Sequence, residues 1–104
     1  MIRMKPIEVE GFKVIGIEVA LPKTTLLAVT TDKGYIMCGA LDIHLLNQKL
    51  KDRRIVAGRA TGVRTMEQLL DAPLDMVTFE AELHGIYPGM KGTDALLKMI
   101  NIAE

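Results

Sequence analysis

The residues of this chain that could do chemistry gather in two stretches. The first is Gly34-Tyr35-Ile36-Met37-Cys38-Gly39-Ala40-Leu41-Asp42, which carries the only cysteine. A thiol just ahead of a helix N-terminus, beside small residues that let a substrate approach, is one way to build a nucleophile of lowered pKa. Gly39 would help present backbone N–H groups to an anion at the same turn. The stretch also reads as an ordinary strand-to-helix joint, where a lone cysteine is a small buried hydrophobe. Ile36 and Met37 ahead of the thiol favour that second reading. Cys38 is thus a candidate catalytic residue and a candidate core residue at once.

The second stretch runs from Ile55 to Thr65. Arg59 stands among small and apolar residues, where a guanidinium needs a fixed partner, either an anionic ligand or a carboxylate of the chain. Asp42, Glu67 and Asp71 are the carboxylates in view. Arg64 directly precedes Thr65-Met66-Glu67-Gln68, which has the T-x-x-Q form of a capping box. Arg64 and the N–H groups of that helix start would together hold an anion. The candidate ligand-binding set is therefore Gly39, Asp42, Arg59, Arg64 and Thr65, with a small anion as ligand. His44 and His84 lie far apart and offer no zinc spacing, so no metal site is expected, and no motif specifies a cofactor. His84, just before Gly85, reads as a helix C-terminal residue.

Positioning these residues falls to a short chain. Its 104 residues allow one domain, since two cores would each be too small to be stable. It is 49% hydrophobic, with a mean hydropathy of +0.23. No run approaches the roughly 18 apolar residues of a membrane span, and no signal peptide opens the chain. The apolar surplus must be buried in a core or against other subunits. Thirteen basic residues balance thirteen acidic ones, so no net field recruits nucleic acid or an anionic membrane. Four aromatics, none of them tryptophan, give no stacking platform for single strands. One cysteine permits no intramolecular disulfide and points to a reducing, cytoplasmic setting.

In chain order, residues 2–10 and 12–21 predict two strands about a Glu10-Gly11 turn. Pro6 cannot donate to a ladder and marks an edge. Val14, Ile15, Ile17, Val19 and Leu21 place apolar side chains on both faces of the second strand, which calls for a partner beyond the chain's own core. We expect that partner to be another subunit, so residues 1–31 form an oligomerisation region. Residues 25–31 and 35–38 pair antiparallel around Thr31–Gly34, with Gly34 expected at positive φ. Asp42 caps a helix from Ile43 to about Lys51. Ile55–Thr61 is a strand reached by a crossover and able to lie parallel to residues 35–38. A short helix ends near Asp71. Residues 74–84 fit either periodicity; a helix is expected, with Gly85 as its terminator and Pro88 beyond. Thr93 caps a final helix bearing Leu96, Leu97 and Ile100.

The central run Gly34–Asp42, followed by Ile55-Val-Ala-Gly-Arg-Ala-Thr-Gly-Val-Arg64, resembles the YunC-like family of small bacterial and archaeal proteins of unknown function. The likeness continues through Gln68-Leu-Leu-Asp-Ala-Pro73, Gly85-Ile86, Gly89-Met90 and Gly92 ahead of Ala95-Leu96-Leu97. The N-terminal strands match in character only. The resemblance implies an α+β fold and a tetramer assembled through the N-terminal β region; it implies no catalytic residue.

These readings converge on an α+β fold: a small mixed β-sheet with N-terminal hairpins, three to four helices and one strand–helix–strand crossover. The function expected is that of a cytoplasmic homo-oligomer holding a small anionic ligand. A thiol-dependent enzyme using Cys38, or a structural oligomer with no ligand, are the alternatives.

Overall fold

The structure, a computed structural model, describes residues 1–102. Six strands form one mixed sheet in chain order: β1 (Ile2–Val9), β2 (Phe12–Leu21), β3 (Thr24–Thr30), β4 (Tyr35–Met37), β5 (Ala57–Arg59) and β6 (Met76–Val77). Every pair is antiparallel except β4 and β5. The helices are α1 (Ile43–Gln48), α2 (Met66–Asp71), α3 (Phe79–Leu83) and α4 (Gly92–Ile100), with a 3-10 turn at Lys51–Arg53.

Local sequence accounts for the joints. Glu10 and Gly11 have φ of 48° and 87°, the double positive φ that a two-residue hairpin loop needs to match strand twist. Pro22-Lys23 makes the second tight turn: proline presets the first position, and Lys23 takes φ 63° at the second. The third turn differs from expectation. Gly34 is not at positive φ; its lack of a side chain answers close packing instead. A Cβ there would lie 2.6 Å from the Val56 carbonyl oxygen and 3.1 Å from Met99 Sδ. Thr31 Oγ1 organises this turn by accepting the N–H groups of Lys33 and Gly34.

The strand–helix–strand crossover is present: β4 leads through α1 and the 3-10 turn into β5, which lies parallel to it. The elements are shorter than the sequence suggested, α1 ending at Gln48 and β5 covering only Ala57–Arg59. Residues 74–84 are a correction. They divide into β6 and α3, because Thr78 stops the strand and caps the helix. Its buried hydroxyl donates to the Ile55 carbonyl at 2.7 Å and accepts the N–H groups of Ala57 and Ala81, each at 3.2 Å. Thr93 is likewise not a cap. It falls inside α4, whose N-cap position is Lys91, with no side-chain cap bond.

Register assigns the two faces of the sheet. One face carries Val14, Leu27, Val29 and Ile36, all buried with Leu69, Leu96 and Met99 in the main core. The other carries three apolar rows: Ile2, Val19 and Leu26; Met4, Ile17, Ala28 and Met37; Pro6 and Ile15, followed by Thr30 and Tyr35. At the β1 end this second face is open: Ile2 is 68% and Met4 66% exposed, and Ile15 is exposed as well. The helices that pack on β3 and β4 are α2 and α4, while α1 and α3 pack on β5.

Candidate functional site

Most of the candidate residues are engaged in holding the fold. Cys38 is 6% exposed at the end of β4 and belongs to the main core. Its Sγ accepts the Leu27 N–H at 3.4 Å, and its own N–H donates to the Leu27 carbonyl. Gly39 packs against Thr61, with 3.3 Å between a Cβ built at Gly39 and Thr61 Cγ2. Asp42 Oδ1 accepts the Leu45 N–H at 3.0 Å as the N-cap of α1. A capped helix of six residues, with a buried thiol four residues ahead of Asp42, does not assemble a nucleophilic centre.

Arg59 has a carboxylate partner, but not one of the three expected. Asp42 caps α1, and Asp71 pairs with Lys91 at 2.9 Å. The partner is Asp75, whose Oδ2 lies 2.7 Å from Arg59 Nη2 and 3.2 Å from Nε. Asp75 Oδ1 also accepts the Thr61 N–H at 3.1 Å. Burial pushes the Asp75 carboxyl up, but the Arg59 hydrogen bond and charge, with the Thr61 N–H, outweigh it and hold its pKa below the usual value. The antiparallel register that sets Arg59 opposite Met76 brings Asp75 to this place.

Arg64 is different. Thr65 Oγ1 accepts the Gln68 N–H at 3.1 Å, and Gln68 Oε1 accepts the Arg64 N–H at 2.7 Å, so the capping box forms with its return bond one residue early. The Arg64 side chain is exposed and makes no hydrogen bond or ion pair among the described residues. It stands between two clefts. One, of about 570 Å³, is lined by Lys23, Thr24, Thr25, Gly62 and Val63. The other, of about 280 Å³, opens beside Arg3, Lys5, Glu18 and Glu67. Neither cleft includes Arg59.

Sequence reasoning missed Lys23, Thr24 and Thr25, since only the pairing of β2 with β3 presents their turn to the Gly62–Arg64 loop. A larger cleft of about 710 Å³, lined by His84, Met90, Asp94, Leu97 and Lys98, shares no residue with the candidate set. Of its lining residues, His84 has its Nε2 3.3 Å from Glu80 Oε2. Among the described residues, no group of three His, Cys, Asp or Glu side chains is placed to hold a metal ion. Among the described residues, no helix is long and apolar enough to cross a membrane.

Comparison with known proteins agrees with this fold. A family model described as a domain of unknown function, DUF1805, matches residues 37–99. The uncharacterized protein YunC of Bacillus subtilis (strain 168) is 60% identical over 100 residues, covering 96% of this chain and 99% of that protein. The crystal structure of a protein of unknown function, TA1206 from Thermoplasma acidophilum, superposes with a TM-score of 0.84 at 30% identity, covering 95% of this chain and 93% of that one. With the joint strings around Cys38 and Arg59 inside the matched region, this chain belongs to the YunC-like DUF1805 family, whose function is uncharacterised.

Proposed function

We propose that this chain works as a self-assembling domain, a cytoplasmic homotetramer joined through its N-terminal strands. One observation carries the reading: the outer face of β1 and β2 is apolar in three successive rows, and its β1 end is open. Each fully buried side chain of this size contributes about 1.5–3 kcal/mol, so the face is costly while wet and favourable when covered. Two such faces pack well against one another, about 10 Å apart with strands roughly aligned. The count of four rests on the likeness to the YunC-like family. The reducing setting rests on the single free thiol.

Sedimentation velocity at micromolar protein tests the assembly. The wild type should sediment as an oligomer. Ile15→Glu combined with Met4→Glu should yield monomer with an unchanged far-ultraviolet spectrum, because both side chains point away from the core. A wild type that sediments as a clean monomer would overturn the proposal.

A further inference from the structure

Beyond assembly, we propose that the groove between the β2–β3 turn and the Gly62–Arg64 loop binds the oxyanion of a small phosphorylated ligand. Arg64, Lys23, Thr24 and Thr25 all line the groove. None of these four side chains makes a hydrogen bond or ion pair among the described residues, whereas Arg54, Arg59 and Lys91 are each paired with a carboxylate. No carboxylate lines this groove; Glu18 and Glu67 face the smaller cleft on the other side of Arg64.

The donor set suits a phosphoryl group. A guanidinium offers a planar fork to two oxygens, a lysine adds a mobile point charge, and a threonine hydroxyl from the start of β3 adds a neutral donor. Gly62, at φ 79°, has no atom within 4 Å of a Cβ built on it, so the space beside this lining residue is open. Lys23 adds an independent sign. Its φ of 63° is a conformation that disfavours a side chain, and glycine would hold the turn at lower cost. A strained residue that keeps a cation at the mouth of a groove is the pattern expected where the charge is used. At about 570 Å³ the groove exceeds one phosphate ion and accommodates a small phosphomonoester.

Amide chemical-shift titration of the full chain tests this, with inorganic phosphate, glycerol 3-phosphate and glycerol as separate probes. Saturable shifts at Thr24, Thr25 and Gly62 are expected with the two anions and not with glycerol. Tighter binding of the ester assigns a phosphomonoester, and equal binding assigns the free anion; either supports the site. Arg64→Gln should weaken binding about tenfold or more, as loss of a charge-assisted pair does. Lys23→Gly should also weaken it while relieving the turn, so a folding defect cannot mimic the result. Arg59→Gln should leave binding unchanged. No saturable shift at millimolar anion, or binding indifferent to Arg64→Gln, would overturn the proposal. Arg64→Gln lies outside the N-terminal strands, so its effect on binding is read separately from the oligomeric state.

Discussion

Replacing Thr78 by valine keeps the shape of a buried side chain and removes its hydroxyl. Thr78 is 2% exposed, and that one oxygen serves three backbone groups: the Ile55 carbonyl, the Ala57 N–H and the Ala81 N–H. The Thr78 N–H already donates to the Ala57 carbonyl at 3.0 Å, so the side chain closes the reciprocal bond that a β6 carbonyl would ordinarily make. Loss of the cap on α3 costs about 1 kcal/mol. Each buried backbone group left without a partner costs a further 1–3 kcal/mol or so, less wherever water or a small shift repairs it. We therefore expect Thr78→Val to destabilise the fold by about 3–5 kcal/mol. Thr78→Ser keeps the oxygen, loses one methyl group, and should cost about 1 kcal/mol. Urea unfolding followed by far-ultraviolet circular dichroism, at one fixed protomer concentration, reads both. Equal midpoints for the two variants would refute the reasoning, because the hydroxyl would then not be what joins β5, β6 and α3.

Asp75 predicts a pH dependence. Its carboxyl titrates below the usual value in the folded chain, so its stabilisation is complete above the unfolded pKa of about 3.9 and is lost as pH falls through the lower folded value. The stability gap between wild type and Asp75→Asn should be constant near neutrality and close in acid; a gap that widens below about pH 4 would contradict the Arg59 pairing. For Cys38, iodoacetamide should react slowly with the native protein and rapidly in denaturant, since the thiol is buried against Leu27. Rapid native labelling would revive the thiol-enzyme reading.

The hairpins, the crossover and the caps at Asp42 and Thr65 could be read in the chain because each depends on neighbours in sequence. Turn residues, alternation and capping boxes carry their physics within a few positions. The division of residues 74–84 could not be read that way. Met76, Val77, Phe79, Ala81 and Leu83 satisfy both periods, and the decision lies with Thr78, whose partners Ile55 and Ala57 are more than twenty residues away. Arg59 tells the same story. Its type and setting required an anion, but the choice of Asp75 over Asp42, Glu67 or Asp71 follows from a two-residue strand pairing too short to leave a pattern. The groove beside Arg64 is assembled from a turn and a loop about forty residues apart, each unremarkable alone.

Pro6 bears on how such a sheet avoids uncontrolled growth. Met1 and Ala20 exchange both backbone hydrogen bonds, which sets the alternation along β1 and turns the N–H and carbonyl groups of Ile2, Met4 and Glu8 toward the free edge. Pro6 occupies the same outward series, and it has no N–H to offer. A further strand could therefore ladder along Ile2–Lys5 but would lose its acceptor's partner at the next step. An exposed apolar ribbon with a continuous edge is a seed for fibres. Here the edge is interrupted while the face is left apolar, so the assembly proposed above would form finite, face-on particles and not open-ended ladders.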